Sequence, residues 1–345
     1  TMRATGGTFN IAIVNASGAS PTIQHCRLEA LTGTPMGASN NGGTPRFESV
    51  FVEVIGNSPM GIGNYDHCEA VFLNAQINVR GDGGSARGVF NEGGSSPHLE
   101  DCNVNVRYSG DDPSVFIDAA YGLYSETDAS PTVVGGSYLV EDGLSTYGVW
   151  GEDSSPVLVG ARITALHGAS FLCGIYNQNS DGSKAAQLTD LDVYVAHGDV
   201  SFTALASGIH LDNCKYAGFS CKVADSRITV HPEGTSDGLR MSGGTVADIF
   251  DTRIEAGGTH RRGVVMQNAN LSISGSEINT FTSAGLAILS FDPNDDVIGI
   301  VGIVALSSDV AGQDCFVGFE IPVSQVEGRR VLVAGEPAID RHVFW

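Results

Sequence analysis

The hydrophobic and polar positions of this 345-residue chain follow one short pattern that recurs along its length. One copy has apolar side chains at Leu99, Cys102, Val104 and Val106, and polar residues separate the last three. Apolar positions two residues apart indicate a β-strand with one buried face, because successive side chains of a strand point to opposite sides. Ten copies of this frame begin at Ile23, Phe47, Phe72, Leu99, Val133, Leu158, Leu188, Val223, Ile249 and Ile273.

A second motif, a glycine followed by an aliphatic residue, accompanies the first in each repeat. It occurs at Gly61-Ile62, Gly88-Val89, Gly122-Leu123, Gly148-Val149, Gly174-Ile175, Gly208-Ile209, Gly238-Leu239, Gly263-Val264 and Gly285-Leu286. Asn10-Ile11 and Gly37-Ala38 extend it towards the N-terminus. Neighbouring copies lie 22 to 34 residues apart, a spacing that suits one coil of a β-solenoid. These starts predict about ten coils.

Turn residues separate the strands of each repeat. Pro21, Pro45, Pro97, Pro131 and Pro156 each come two residues before the first apolar position, and a residue without an amide donor suits the beginning of a strand. Bend residues follow two positions after that apolar residue, at Asp101, Gly135, Gly160, Asp190, Asp225, Asp251 and Gly275. Each coil is therefore predicted to contain strand, turn, strand, bend and strand.

This pattern, with Ser-Pro-x-aliphatic-x-x-Cys repeats from Ser20 to Cys26 and from Ser96 to Cys102, resembles the pectin-lyase-like superfamily. The resemblance implies an all-β, right-handed parallel β-helix solenoid over residues 1–306, with coils about 4.8 Å apart. The register is lost from about residue 307, so we interpret 307–345 as C-terminal capping strands that cover an open sheet edge. Lyases, glycosidases, epimerases, tailspikes and adhesins share this fold, which assigns no activity by itself.

Composition and charge limit the classes of partner that this chain is expected to bind. The chain has 18 Lys and Arg against 39 Asp and Glu, and a net charge of −21 disfavours nucleic acid. No apolar run is long enough to predict a membrane span. The chain begins Thr1-Met2-Arg3 without an apolar leader, as a processed product would, and we expect a secreted or cell-surface protein.

Aromatic and basic residues occupy the position two residues after each repeat glycine. In six consecutive coils these residues are Phe90, Tyr124, Trp150, Tyr176, His210 and Arg240. Because the preceding aliphatic residue points inward, alternation predicts that they form one outward ladder. Sugar rings present apolar C–H faces that stack on such planes, which favours a carbohydrate-binding or adhesive module for a polysaccharide or cell-surface glycan. The alternative is that an inserted loop, 107–121 or 196–207, covers the rings.

Two other functions remain open at this stage. Tyr176, His210 and Arg240 supply the base and the cation that a polysaccharide (uronate) lyase needs, so they are its candidate catalytic residues. The chain lacks the complete polygalacturonase motifs, and Tyr121-Gly122-Leu123-Tyr124 lacks the acid and histidine of the similar mannuronan epimerase motif. Without a fuller set of catalytic groups we favour a non-enzyme. The third hypothesis is that the solenoid is a structural spacer or a filament subunit.

Metal and cysteine chemistry contribute little to the prediction. Asp292, Asn294 and Asp296 offer alternate oxygens of the kind calcium binds, although the glycine and glutamate of an EF-hand are missing and an ordinary polar loop is favoured. No other cofactor is expected. Cys214 and Cys221 flank a short insertion that a disulfide could close, whereas Cys26 and Cys102 occupy a small core position.

Overall fold

The computed structural model of the chain describes residues 1–16, 18–108, 117–197, 205–216, 219–231, 234–280, 286–290, 297–301, 304–308, 317–318, 327–328, 331–334 and 343–344. Within these ranges every regular element is a β-strand. The chain divides into two compact units, Thr1–Leu172 and Cys173–Trp345. Both repeat turns of three strands, about ten turns in all, and three parallel sheets run through each unit. The predicted parallel β-solenoid is confirmed.

In the first unit the three strands of a turn belong to sheets that we number 1, 2 and 3 in chain order. Sheet 1 contains β2 (Phe9–Asn15), β5 (Thr34–Asn41), β8 (Met60–Tyr65), β11 (Ser85–Asn91), β14 (Ile117–Ser125) and β17 (Gly143–Glu152). Sheet 2 contains β3 (Thr22–Gln24), β6 (Arg46–Glu48), β9 (Val71–Leu73), β12 (His98–Glu100), β15 (Thr132–Val134) and β18 (Val157–Val159). Sheet 3 contains β1 (Met2–Thr5), β4 (Arg27–Leu31), β7 (Phe51–Asn57), β10 (Gln76–Gly83), β13 (Asn103–Tyr108), β16 (Ser137–Glu141) and β19 (Arg162–Leu166).

The second unit has the same three-sheet plan. Its sheet 1 contains β20 (Phe171–Gln178), β23 (Leu205–Asp212), β27 (Thr235–Ser242), β30 (His260–Gln267) and β33 (Leu286–Ser290). The first two residues of β20, Phe171 and Leu172, still belong to the first unit. Its sheet 2 contains β21 (Gln187–Thr189), β25 (Phe219–Ala224), β28 (Val246–Phe250), β31 (Asn270–Ser274), β34 (Val297–Val301) and β37 (Glu327–Gly328). Its sheet 3 contains β22 (Asp192–Ala196), β26 (Arg227–His231), β29 (Arg253–Ala256), β32 (Glu277–Thr280), β35 (Val304–Ser308) and β38 (Val331–Ala334).

Three short strands lie off this plan. β24 (Lys215–Tyr216) pairs antiparallel with β25, and β36 (Val317–Gly318) pairs with β39 (Val343–Phe344). Parallel pairing continues past residue 306, because β37 pairs with β34 and β38 with β35. Most of the predicted capping segment 307–345 lies outside the described residues, so the cap remains a prediction.

The bend between sheets 2 and 3 requires a left-handed backbone. Asp101, Asp190, Asp225 and Asp251 have φ between 45° and 54° there. The equivalent glycines of other turns have φ between 59° and 67° at Gly135, Gly160 and Gly275. Glycine adopts this conformation without steric cost, and aspartate tolerates it better than most residues because its short side chain bonds locally. The bend positions predicted from the repeat are therefore confirmed.

A buried column of amides stacks along the end of the sheet 1 strands in the first unit. Asn15 donates to Asn40, Asn40 to Asn64 and Asn64 to Asn91, with Nδ2 to Oδ1 distances of 2.6, 2.8 and 2.8 Å. Asn91 then donates to Ser125 Oγ at 3.1 Å. Each link satisfies polar atoms that burial would otherwise leave without partners, so the column fixes the register of successive turns.

Candidate functional site

The outer face of sheet 1 in the first unit carries a continuous group of rings. We call this group the aromatic cluster; it consists of Tyr65, Phe90, Tyr121, Tyr124, Tyr147, Trp150 and Phe171. Strand register places Tyr121 opposite Tyr147, and Tyr124 opposite Trp150. On the other side of β14, Phe90 of β11 lies opposite Tyr124. Parallel pairing therefore converts a sequence repeat into columns of neighbouring rings.

The repeat glycine explains why two aromatic residues face outward in each of the strands β14 and β17. A Cβ on Gly122 would lie 2.5 Å from the Gly148 carbonyl oxygen and 3.0 Å from Val140 Cγ2, so this position faces the crowded interior. Leu123, the next residue, is also fully buried. Two consecutive inward residues break the alternation of the strand. Consequently Tyr121, before the glycine, and Tyr124, after the leucine, both lie on the outer face.

The rings contact one another closely. The Tyr121 and Tyr147 rings are stacked, with centroids 5.3 Å apart and planes 7° apart, and the Tyr121 and Tyr124 rings stack at 4.9 Å. Trp150 meets the Tyr147 ring edge-on at 4.5 Å and an angle of 79°. Offset stacks and edge-on contacts are the favoured geometries of aromatic pairs, each worth about 0.5 to 1.5 kcal/mol beyond burial. The cluster is thus a packed layer rather than a row of isolated rings.

Exposure differs among the ladder residues predicted in this unit. Tyr124 and Trp150 are half-buried, so part of each ring reaches solvent. Phe90 is only 8% exposed, because the rings of Tyr65 and Tyr124 flank it at 5.7 and 5.3 Å. The loops considered as covers, 107–121 and 196–207, include residues outside the described ranges, and that alternative remains open. Sequence reasoning missed Tyr121 and Tyr147, although a tyrosine precedes the repeat glycine in both strands.

One cation and three carboxylates surround the cluster. The guanidinium carbon of Arg87 lies 5.4 to 5.9 Å from the Phe90, Tyr121 and Tyr124 rings. Burial raises the pKa of Tyr121, an effect that Arg87 opposes. Burial also raises the pKa of Tyr124 and of Tyr65, with further contributions from nearby carboxylates. These carboxylates are Glu92, Glu126 and Glu152. The hydroxyl groups consequently stay protonated and can donate hydrogen bonds.

The remaining ladder residues belong to the second unit. The Tyr176 and His210 rings meet edge-on with centroids 4.7 Å apart, and strand register places His210 opposite Arg240. The Tyr176 hydroxyl donates to Gln178 Oε1 at 3.0 Å. The structure therefore brings together the three candidate lyase residues, as their equivalent positions in consecutive turns predicted.

Electrostatics make His210 a poor catalytic base. Burial lowers the pKa of His210 to about 3, and the adjacent Arg240 charge contributes in the same direction. A general base works best when its pKa lies near the working pH, because it must be deprotonated yet still bind the proton strongly. A neutral imidazole with this pKa is available but weakly basic. This pKa counts against His210 as the base of a lyase, whereas Tyr176 remains a candidate for that role.

Arg240 is held in a buried ion-pair group. Its Nη1 lies 3.3 Å from Oδ2 of Asp237, and Arg262 Nε lies 2.6 Å from Oδ1 of the same carboxylate. The Asp237 side chain is fully buried. Burial raises the pKa of this carboxyl, while both guanidinium groups oppose the rise. Arg240 thus has a structural partner and is not reserved for a substrate carboxylate.

Cys214 and Cys221, the pair for which a disulfide was predicted, are both buried free thiols in this structure. Their sulfurs have other partners, since Cys214 Sγ accepts from Asn179 Nδ2 at 3.1 Å and Cys221 Sγ accepts from the Ala186 amide at 3.3 Å. Burial raises the pKa of Cys214. The two side chains also hydrogen-bond to each other, so the thiols are neighbours in the core and the disulfide stays a prediction.

Other predicted features of the site have separate outcomes. The candidate calcium ligands Asp292, Asn294 and Asp296 lie outside the described residues, and calcium binding stays a prediction. Within the described ranges no group of three His, Cys, Asp or Glu side chains could hold a metal ion. The part of the chain that the structure describes also contains no helix of the length and hydropathy needed to cross a membrane.

Comparisons with known proteins concern the chain as a whole. No protein-family model matches it, and no curated protein sequence matches it. Among solved structures, the periplasmic alginate epimerase AlgG is similar over 94% of this chain and 78% of that chain, at 13% identity and a TM-score of 0.38. The mannuronan C-5 epimerase AlgE4 A-module of Azotobacter vinelandii is similar over 92% of this chain and 91% of that chain, at 12% identity and a TM-score of 0.29. Values this low assign neither epimerase's activity to this chain.

Proposed function

We propose that the aromatic cluster is a carbohydrate-binding surface, and that the chain is a non-catalytic glycan-binding or adhesive module. The observation that carries this proposal is the set of contiguous rings on one outer sheet face, several of them half-buried rather than enclosed. Clustered outer rings are costly to leave in water without a partner, which is why such patches mark interaction sites. Stacking of sugar rings on such a layer needs no reactive group.

The charges beside the rings favour a neutral glycan. Among the described residues, the negative charges of Glu92, Glu126 and Glu152 near the tyrosines are balanced by one positive charge, that of Arg87. Carboxylates accept hydrogen bonds from sugar hydroxyl groups, and such charge-assisted bonds are stronger than neutral ones. The same carboxylates repel the carboxylates of a polyuronate, as does the net charge of −21. The preferred ligand is therefore a polysaccharide or cell-surface glycan rich in hydroxyl groups and without uronic acids.

A glycan array that contains neutral and uronic polysaccharides tests the proposal directly. We expect binding to neutral glycans, with little dependence on salt, and weak or absent binding to polyuronates. Titration calorimetry then compares the wild-type chain with Tyr124→Ala on the strongest array ligand. Loss of one stacked ring should weaken binding by about 1 to 3 kcal/mol, by analogy with base stacking on aromatic side chains.

The matched control is Tyr194→Ala. Tyr194 is a 41% exposed tyrosine of β22, on sheet 3 of the second unit, and it does not belong to the aromatic cluster. Its removal should leave glycan affinity unchanged. If both variants bind like the wild type, the cluster is not the binding surface. If no glycan on the array binds, the result favours a structural spacer or filament subunit.

A secreted or cell-surface location belongs to the same proposal, because polysaccharides of the kind described are found outside the cell. Detection of the chain in the medium or on intact cells with a fluorescent antibody tests it. Signal confined to permeabilised cells would contradict this location.

A further inference from the structure

Sheet 3 of the first unit has two arginines that face each other across a strand pair. Register places Arg80 of β10 opposite Arg107 of β13, and Asn78 opposite Asn105. Like charges directly opposite each other on neighbouring strands are destabilising. Both side chains are half-buried, which limits screening by water. Two cations opposite each other, with no carboxylate paired to either among the described residues, are unexpected in a chain with a net charge of −21.

Other arginines of this sheet are compensated. Arg3 pairs with Glu29 at 3.2 Å, and Arg27 forms ion pairs with Glu29 and Glu53. Among the described residues, none forms a hydrogen bond or an ion pair with Arg80 or Arg107. The arginine pair therefore departs from the charge pattern of its own sheet.

Two carboxyls, those of Glu141 and Asp142, interact with Arg107 at longer range. Burial raises the pKa of both, and the Arg107 charge opposes that rise. Neither forms an ion pair with the guanidinium in the described part of the chain. These carboxylates attract Arg107, but they do not form the oriented hydrogen bonds that a guanidinium forms with an oxyanion.

A cavity of about 60 Å³ lies between these side chains, lined by Asn78, Val79, Arg80, Asn105 and Arg107. One water molecule needs roughly 10 to 15 Å³ of such space, so the cavity has room for a small polyatomic ion. Asn105 Oδ1 is buried and has no hydrogen-bond partner among the described residues. A buried acceptor without a donor is costly, and a ligand that carries a hydroxyl group would satisfy it.

We propose that this cavity is a binding site for inorganic phosphate. Arg80 and Arg107 donate to the phosphate oxygens, and Asn105 Oδ1 accepts a hydrogen bond from the P–OH group. The bound anion attracts both guanidinium groups, and this attraction offsets the repulsion between them. Hydrogen phosphate carries the hydroxyl group that Asn105 requires, whereas sulfate at neutral pH has no proton to donate. The site thus distinguishes two anions of the same shape.

Titration calorimetry on the full chain, with sodium phosphate and then sodium sulfate at matched ionic strength, tests the site. We expect saturable phosphate binding in the millimolar range or tighter, and distinctly weaker sulfate binding. Arg80→Gln and Arg107→Gln should each weaken phosphate binding by roughly tenfold or more, because hydrogen bonds to charged groups are the stronger ones. Asn105→Leu should abolish the preference for phosphate over sulfate.

Arg27→Gln is the matched control, since it removes an already paired arginine from the same sheet. It should leave phosphate affinity unchanged. Thermal melting in phosphate-free chloride buffer checks folding, and Arg107→Gln should melt no lower than the wild type because a like-charge repulsion is relieved. Absence of saturable phosphate binding in the wild type, equal affinity for sulfate, or unchanged affinity in Arg107→Gln would each overturn the proposal. These outcomes are independent of glycan binding, which uses a different sheet.

Discussion

The Tyr121 and Tyr147 rings lie nearly parallel, 7° apart in plane and 5.3 Å between centroids, on neighbouring strands of sheet 1. Both residues directly precede a repeat glycine. This stack joins the Tyr124 ring of one turn to the Trp150 ring of the next, because Tyr121 contacts Tyr124 and Tyr147 contacts Trp150. The packing holds the rings in fixed orientations, so little conformational entropy is lost when a ligand stacks on them.

Replacement of Trp150 by alanine separates a platform residue from a core residue. Trp150 is half-buried and contacts neighbouring rings, so the free energy of unfolding should fall by about 1 to 2 kcal/mol. Glycan affinity should fall by about 1 to 3 kcal/mol. Chemical denaturation and calorimetry measure the two effects. A stability loss of about 3 to 5 kcal/mol with no change in binding would identify a core tryptophan instead.

Gly122→Ala probes the close approach of successive turns. The added Cβ would meet the Gly148 carbonyl oxygen and Val140, and a backbone oxygen cannot move aside without shifting the next turn. We expect the free energy of unfolding to fall by about 1 to 3 kcal/mol or more, measured by urea denaturation. The control is Gly83→Ala, where the close neighbour is Asn57 Nδ2, the end of a flexible side chain. Equal losses in both variants would refute the steric argument.

His210 should make stability depend on pH below neutrality. Its pKa is about 3 in the folded chain because of burial and Arg240, against about 6.5 for an unfolded histidine. Above about pH 6.5 both states are neutral and the contribution is fully present; below it only the unfolded state binds a proton. The free energy of unfolding should therefore fall by about 1.4 kcal/mol per pH unit from this group as pH decreases towards 3.

His210→Gln removes that titration. Between about pH 7 and about pH 5 the wild type should lose about 2 kcal/mol more stability than the variant. Urea denaturation at the two pH values measures the difference. Identical pH dependence in both proteins would mean that His210 has the same pKa in the folded and unfolded states.

Asp237→Asn tests the buried ion-pair group of the second unit. The change leaves Arg240 and Arg262 without their shared carboxylate, and breaking a buried pair costs about 3 to 5 kcal/mol. The comparison variant is Glu48→Gln, which removes a partner of Arg46 at 3.8 Å in a largely exposed pair. That change should cost less than about 1 kcal/mol. Similar melting temperatures for the two variants would contradict the structural role of Asp237.

Local chemistry made much of the fold predictable from sequence. The proline at 97 precedes the strand that begins at His98, and Asp101 has the positive φ expected at a bend. Both outcomes follow from the backbone preferences of one residue, which do not depend on distant parts of the chain. The repeat itself then implied parallel stacking, since one coil cannot satisfy its backbone hydrogen bonds alone. Asn64 and Asn91 occupy equivalent positions of consecutive turns and form a direct amide link.

The composition and exposure of the aromatic cluster depend on contacts between successive turns, which the sequence does not show directly. In β14 and β17, strict alternation predicted Tyr124 and Trp150 on the outer face, but the inward glycine places Tyr121 and Tyr147 there too. Phe90 is also less exposed than its outward position predicted, because neighbouring rings cover it. The amino-acid sequence by itself determined which residues bend, which begin strands and which face the core, because those properties are local and repeated. Only the tertiary structure decided which side chains share a surface and how much water reaches them, because burial and charge are set by residues one or more turns away.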